Sequence, residues 1–252
     1  MEKRGQVTIF IILALLIIIA IVLFFFLTGD VDSDPEQMEN PKIFIDSCVQ
    51  GAIEKEVQIL MSNSGIKNPV KTIRYQNEEY NYLCYHGDYL RKCLNNYPIL
   101  EKRVEEEIEN ETRVEVENCF NILESDLESR GFSVTSGSTE YSIDLAPGFI
   151  KINLEKDLTL TKEENEQNFK DFDSEINHPL HDLINVARDI VNGESSDCSF
   201  ASTYYSLLNP KFIINRNYYD ESRLYIITDK QSNNQIKFAV RSCVVPPGVL
   251  IE

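Results

Sequence analysis

Apolar residues are arranged along this chain in three patterns, and each pattern predicts a different kind of element. The first is a continuous run, Val7–Leu27, in which 18 of 21 residues are Val, Ile, Leu or Phe and none is charged. As a helix the run spans roughly 31 Å, the thickness of a membrane's hydrocarbon core. A cleaved signal peptide has a shorter apolar core and a small-x-small cleavage site, which Phe26-Leu27-Thr28 does not provide. The run therefore predicts a retained membrane helix.

The second pattern repeats every three to four residues, which is typical of amphipathic helices. One such helix is predicted from Asn40-Pro41 to Asn63-Ser64-Gly65, with proline at its first position and glycine after its end. A second is predicted from Pro98 to Gly131. We expect its polar face to be a solvated surface; that face carries Glu105, Glu106, Glu109 and Glu117.

A third helix is predicted between a capping box at Thr161 and Glu164 and a stop at Asn192-Gly193. Pro179 is expected to kink or divide it. Its predicted apolar face consists of Phe169, Phe172, Ile176, Leu180, Leu183, Ala187 and Ile190.

The third pattern is alternation of apolar and polar residues, which predicts strands within residues 70–86, 132–161 and 211–242. The predicted fold class is α+β: a single N-terminal transmembrane helix, then an extracytoplasmic domain of about three main helices and antiparallel β-sheet. The predicted domains are a cytoplasmic stub and anchor (1–28), an acidic linker (29–40) and the α+β domain (41–252). Two lobes, 41–131 and 132–252, are an alternative division of that domain.

Charges beside the apolar run predict its orientation. Lys3 and Arg4 precede the run, and the residues that follow it are acidic. Because basic residues stay on the cytoplasmic side, we expect a single-pass protein of the cell membrane with a cytoplasmic N-terminus and an extracellular C-terminal domain.

Six cysteines follow the apolar run, and an even number in an oxidising compartment favours disulfides. Cys84 and Cys93 are close in sequence, and Cys198 and Cys243 both belong to the C-terminal half, which leaves Cys48 to join Cys119. Each bond would contribute about 3 to 4 kcal/mol. Fifteen pairings are open to six cysteines, and the other fourteen remain alternatives.

The net charge of −17 excludes nucleic acid as a partner, because phosphate would be repelled. The chain has no phosphate loop, no Gly-x-Ser-x-Gly, no His-Glu-x-x-His and no dinucleotide fingerprint. His178 and His181 have helical spacing for a metal, but Pro179 lies between them and no third ligand is fixed. We therefore expect no catalytic residue, no metal and no cofactor.

Two further features are candidates for roles at the protein surface. Asn110-Glu111-Thr112 is a glycosylation sequon, which makes Asn110 a candidate acceptor. Tyrosines are concentrated in Tyr75–Tyr97, Tyr204-Tyr205 and Tyr218-Tyr219. We interpret them as ordinary strand and core residues, with a sugar- or peptide-binding face as the alternative.

The opening Lys3-Arg4-Gly5-Gln6, followed directly by Val7-Thr8-Ile9-Phe10, resembles the class III signal of archaeal type IV pilin-like proteins. The resemblance implies cleavage between Gly5 and Gln6 by a prepilin peptidase, with the apolar segment retained to pack in a filament core. The chain also resembles membrane-anchored surface proteins of unassigned function from small-genome archaea. A filament subunit and a tethered monomer are both consistent with these resemblances.

The sequence thus predicts a non-enzymatic, membrane-anchored cell-surface protein with a structural, adhesion or assembly role. Its expected partners are the membrane, through Val7–Leu27, and itself or other pilin-like or surface proteins. The alternative is a tethered ligand-binding or sensory ectodomain. An extracytoplasmic hydrolase would require two carboxylates that converge in a cleft.

Overall fold

The computed structural model describes residues 40–248. The helices are α1 (Pro41–Ser62), α2 (Leu100–Ser129), α3 (Leu180–Asp197) and α4 (Ser202–Leu208). The strands are β1 (Thr72–Tyr75), β2 (Glu78–Tyr85), β3 (Leu94–Asn95), β4 (Ser133–Ser136), β5 (Glu140–Ala146), β6 (Phe149–Lys162), β7 (Asn165–Asp171), β8 (Ser174–Asn177), β9 (Phe212–Tyr219), β10 (Ser222–Asp229) and β11 (Gln235–Arg241).

Helix α1 confirms the first predicted amphipathic helix. Its apolar stripe is buried at Ile45, Val49, Ile53 and Val57. Just after the helix, Gly65 has φ +81°, and its amide donates to the Leu60 carbonyl at 2.7 Å. A residue in this left-handed conformation ends a helix by satisfying one of its last carbonyls.

Helix α2 also ends where the sequence predicts, because Gly131 has φ +86° and its amide donates to the Glu128 carbonyl at 2.9 Å. The expectation of a solvated acidic face is wrong for two of its glutamates. Glu105 accepts a hydrogen bond from the Leu145 amide, and Glu109 accepts one from the Ile143 amide, each at 2.9 Å. Strand β5 pairs only with β6, so its outer amides take acceptors from α2 instead of from another strand.

The first sheet has six strands in the order β1-β2-β11-β10-β9, with β3 also paired to β2. Strands β9, β10 and β11 form the antiparallel meander that alternation predicts. The β2–β11 pair is parallel, with Cys84 opposite Val240. The expectation of a purely antiparallel sheet is therefore wrong, because strands from the two ends of the domain lie side by side in the same direction.

This sheet is strongly curled. The rings of Tyr75 in β1 and Tyr219 in β9 lie 4.9 Å apart, centroid to centroid, although the two strands are at opposite ends of the strand order. In a flat sheet four strand spacings would separate them by about 19 Å. The curl brings the β1–β2 hairpin over the outer face of the meander, where Tyr80 and Tyr82 are buried with Leu224.

The second sheet is built around the long strand β6, which pairs with β4, β5, β7 and β8, all antiparallel. The predicted third helix is wrong over its first half, because residues 165–177 form β7 and β8. In β8, Ser174 and Ile176 are buried while Glu175 is exposed, which is strand alternation. Pro179 is the N-cap residue of α3, so the helix begins only after it.

The overall α+β class holds, but the predicted architecture needs correction. The described residues form four helices, not three, and α4 was not predicted. Between residues 40 and 248 no helix is both long and apolar enough to cross a membrane. The run Val7–Leu27, for which a membrane helix was predicted, lies outside the described residues.

One hydrophobic cluster extends through most of the domain. Helix α3 packs against β5 and β6 of one sheet and against β2, β3, β10 and β11 of the other. Its side chains Leu183, Ala187 and Ile190 are fully buried. Helix α3 thereby joins the two sheets through one shared core.

Candidate functional site

A groove of about 280 Å³ opens on the surface where the end of α1, the start of β2 and the β10–β11 turn meet. It lies just below the size range of small-molecule sites, about 300–1,000 Å³. Its floor is apolar, made by the buried Met61 and the half-buried Ile226. The polar residues of its lining are Gln58, Ser62, Glu78, Asn233, Asn234, Gln235 and Lys237.

Four amide side chains dominate this lining. Gln58 projects from α1, and Asn233, Asn234 and Gln235 follow one another in the turn into β11. Within the described part of the chain, none of the four side chains takes part in a hydrogen bond. Each amide carries a donor group and an acceptor oxygen, so the groove presents both kinds of hydrogen-bonding group to a ligand.

The β10–β11 turn is fixed by Asp229, which is 1% exposed. Its carboxylate accepts from the Gln231 and Ser232 amides at 3.0 and 2.9 Å, and its carbonyl accepts from the Asn233 amide at 2.9 Å. Burial acts to raise the pKa of Asp229, but the hydrogen bonds from Ser232 and Gln231 and the charge of Lys211 outweigh it and lower that pKa. The ionised carboxylate therefore holds the turn that presents the amides.

The two charged groups of the groove neutralise each other. Lys237 Nζ lies 3.1 Å from Glu78 Oε2 and 5.5 Å from the centroid of the Tyr80 ring. The Tyr80 hydroxyl donates to the same carboxylate at 3.3 Å. Burial, and then the charge of Glu78, raise the pKa of Tyr80, so this phenol stays protonated near neutral pH.

The titratable side chains of the groove are Glu78 and Lys237, which are paired with each other. Its one hydroxyl, Ser62 Oγ, donates to the Ile59 carbonyl at 2.7 Å, and no histidine lines it. General acid–base catalysis needs a group within hydrogen-bond reach of the proton that it transfers. The arrangement of amides around this ion pair can hold a polar ligand in a fixed orientation by hydrogen bonds.

The six cysteines form three disulfides, and the pairs are those that the sequence favours. Cys48 joins Cys119, Cys84 joins Cys93 and Cys198 joins Cys243, with Cα–Cα distances of 6.0, 5.4 and 5.6 Å. These bonds tie α1 to α2, β2 to the segment before β3, and the end of α3 to the segment after β11. Two of the bonds begin in elements that line the groove, α1 and β2.

A buried charged network lies beside the Cys198–Cys243 bond. Glu194 is fully buried and accepts hydrogen bonds from Arg223 and from the Tyr225 hydroxyl. Arg223 also donates to the carbonyls of Cys198 and Ser242, at 2.8 and 3.1 Å. Because these interactions balance the buried charge and join α3 to β10 and to the segment after β11, we interpret the network as structural.

The two candidate metal-ligating histidines are not brought into a metal site. His178 Nδ1 accepts from the Leu180 amide at 3.2 Å, while His181 Nδ1 lies 3.2 Å from Asp182. Lys211 Nζ already lies 2.6 Å from the Asp182 carboxylate. Over residues 40–248 no group of three or more His, Cys, Asp or Glu side chains is arranged to hold a metal ion.

The tyrosines divide between core and surface. Tyr80 and Tyr82 are buried in the cluster under the β1–β2 hairpin, whereas Tyr204 and Tyr218 are 64% and 68% exposed. None of them lines the groove. The groove is therefore not the tyrosine-lined binding face that the sequence offered as an alternative.

The sequon lies on α2, where Asn110 is exposed. Its third residue, Thr112, is 2% exposed and donates to the Ile108 carbonyl at 2.6 Å. Glycosylation of Asn110 thus remains a prediction, and the exposure of this side chain permits it. The candidate cleavage residues Gly5 and Gln6 lie outside the described residues.

The groove was missed by reasoning from sequence. Its residues come from α1, β2 and the β10–β11 turn, and they meet only through tertiary packing. The only local signal is the run Ser232-Asn233-Asn234-Gln235, which reads as an ordinary polar turn.

Comparison with known proteins finds no family model, no curated protein and no solved structure that matches this chain.

Proposed function

We propose that this chain is a non-enzymatic, membrane-anchored cell-surface protein with a structural, adhesion or assembly role, and that its folded domain works outside the cytoplasm. Three disulfides support the extracytoplasmic setting, since such bonds persist in oxidising compartments. The apolar run Val7–Leu27 and the basic residues before it support attachment to the membrane.

The observation that carries the proposal is the chemistry of the groove. Its free hydrogen-bonding groups are amides, and its only charged residues, Glu78 and Lys237, are paired with each other at 3.1 Å. Such a surface favours recognition of another molecule over turnover of it. We therefore propose that the protein adheres to cell-surface material through the groove.

The more specific proposal, that the protein is pilin-like, rests on residues 3–10 alone. It is tested by reading the mature N-terminus with mass spectrometry on protein extracted from its native membrane. A chain that starts at Gln6 supports processing by a prepilin peptidase and a filament role. A chain that keeps Gly5 rejects that proposal and leaves a tethered surface protein.

Adhesion is tested by comparing the binding of three full-length proteins to isolated cell envelopes. The groove variant Gln58→Ala/Gln235→Ala removes two free amides from exposed positions. The control variant Asn121→Ala removes an exposed amide from α2. We expect the natural chain and the control to bind and the groove variant to bind more weakly. A natural chain that neither binds envelopes nor self-associates contradicts the proposed function.

A tethered ligand-binding or sensory ectodomain is the second candidate, and the groove also favours it. In that case a soluble ligand should raise the melting temperature, because a ligand that binds only the native state stabilises it. The natural chain would then show no envelope binding. The ligand would no longer raise the melting temperature of the variant Gln58→Ala/Gln235→Ala.

A further inference from the structure

We propose that the groove binds a neutral, hydroxyl-rich saccharide. This inference rests on the proposed function, since it names the class of surface material that the groove recognises. It is carried by the free amides, the internal charge balance and the position of the groove within the first sheet.

The free amides match the hydrogen-bonding groups of a sugar. The side chains of Gln58, Asn233, Asn234 and Gln235 make no hydrogen bond within the described part of the chain, so their donors and acceptors are available to a ligand. A hydroxyl both donates and accepts, and adjacent hydroxyls on a ring can pair with the oxygen and the NH₂ of one amide. A ligand with many hydroxyls therefore satisfies this lining better than a ligand with few.

Charge excludes other classes of polar ligand. The chain has a net charge of −17, which repels an anionic ligand such as a phosphate or an acidic glycan. The one cation in the lining, Lys237, is already paired with Glu78 at 3.1 Å. A cationic ligand would have to compete with Lys237 for that carboxylate. A neutral ligand disturbs neither interaction.

The place of the groove in the sheet argues against a peptide. Peptides often bind by adding a strand to a free sheet edge or by filling apolar pockets. Here β10 pairs with both β9 and β11, and β11 pairs with both β10 and β2, so neither strand offers a free edge. The apolar part of the lining is limited to Met61 and Ile226.

The turn is preorganised for this role. Asp229 holds the backbone of Gln231, Ser232 and Asn233 by hydrogen bonds of 2.9 to 3.0 Å. Asn233 has φ +59°, a left-handed conformation that asparagine adopts more readily than most residues. A fixed turn reduces the conformational entropy that the amides lose on binding. Since the apolar contact is small, we expect affinities in the millimolar range, about 1 mM.

The test is ligand-observed saturation-transfer NMR on the full-length chain, solubilised in a detergent that has no sugar headgroup. The probes are three neutral trisaccharides, built from glucose, from mannose and from N-acetylglucosamine. Sialyllactose is the anionic probe and a neutral tripeptide is the peptide probe. We expect at least one neutral trisaccharide to receive saturation and the other two probe classes to receive none.

Variants locate the site. Gln58→Ala/Gln235→Ala should weaken binding of that trisaccharide about fivefold or more, because two hydrogen bonds to the ligand are lost. Asn121→Ala should leave it unchanged. All the substituted positions are exposed, and unchanged circular dichroism and melting temperature will verify the fold of each variant.

Saturation of sialyllactose or of the tripeptide overturns the inference, and so do two further results. If no neutral trisaccharide binds, the saccharide class is wrong, and if binding survives in Gln58→Ala/Gln235→Ala, the groove is not the site. Should that variant lose envelope binding while no trisaccharide binds, the proposed function stands and only the ligand class falls. Should a trisaccharide bind through the groove while the natural chain neither adheres nor self-associates, the proposed function fails and this inference stands.

Discussion

At the scale of single residues, two glycines show how the same residue type serves opposite needs. Gly51 lies in the interior of α1 with no atom within 4 Å of an added Cβ, so Gly51→Ala should stabilise the domain by about 0.5–1 kcal/mol. Gly65 has φ +81°, and a Cβ there would lie 2.5 Å from Val104 Cγ2. Gly65→Ala should therefore destabilise the domain by about 1–3 kcal/mol.

Urea unfolding measures both changes as shifts of the midpoint at constant slope. The two variants control for each other, because each adds the same methyl group. Midpoints that move in the same direction would contradict the conformations assigned to these glycines.

A histidine at the start of α3 predicts a dependence of stability on pH. Burial lowers the pKa of His178, and its Nδ1 must be unprotonated to accept from the Leu180 amide at 3.2 Å. The unfolded chain, with a histidine pKa of about 6.5, therefore takes up this proton first as pH falls. The contribution of His178 to stability is complete above that pH and decreases as pH drops below it.

The variant His178→Asn keeps a side-chain acceptor near the helix start and removes the titrating group. We expect a smaller loss of unfolding free energy between pH 7 and pH 5 than in the natural chain, measured by urea titration at each pH. His86→Asn is the matched control, since His86 Nδ1 also accepts from an amide two residues later, that of Asp88 at 3.0 Å. A natural chain with no loss of stability over this range would refute the assignment.

At the scale of elements, the disulfides differ in how much chain they constrain. Cys48–Cys119 joins residues 71 apart and connects α1 to α2, whereas Cys84–Cys93 joins residues only 9 apart. On the chain-entropy relation, losing the first bond should cost about 4 kcal/mol and losing the second about 2.5 to 3 kcal/mol.

Paired Cys→Ser variants test this order by guanidinium unfolding under non-reducing conditions. The double variant Cys48→Ser/Cys119→Ser should be the less stable of the two. The double variant Cys84→Ser/Cys93→Ser is its control for the replacement of two cysteines. An equal loss in both would mean that local strain, not loop length, decides the contribution of each bond.

At the scale of the whole molecule, the net charge of −17 should make stability depend on salt. Like charges repel in the compact state, and salt shortens the screening length from about 30 Å at 0.01 M to about 3 Å at 1 M. We expect the melting temperature to rise over this range of sodium chloride. Sodium chloride is preferred to sulfate, which also strengthens apolar burial. A melting temperature that falls with salt would show that favourable ion pairs outweigh the repulsion.

Local periodicity was enough to predict those elements whose pattern fits one geometry only. Helix α2 repeats its apolar residues over 30 positions and ends beside a glycine with φ +86°, so both its type and its end could be read. The segment around β8 could not be read in this way. Phe169, Phe172 and Ile176 have helical spacing, but pairing with β6 makes strands of this segment. That pairing is a non-local interaction, and it overrides local preference.

The sequence by itself determined the α+β class, the limits of α1 and α2 and the three antiparallel strands at the C-terminal end, and it favoured the observed cysteine pairs without fixing them. These follow from hydrophobic period, turn residues and spacing, which act over short stretches of chain. Only the tertiary structure decided the parallel β2–β11 pair, the curl of the first sheet and the groove between α1 and the β10–β11 turn. Each of these joins segments that are far apart in sequence, and the burial of apolar surface between such segments is not recorded in any local pattern.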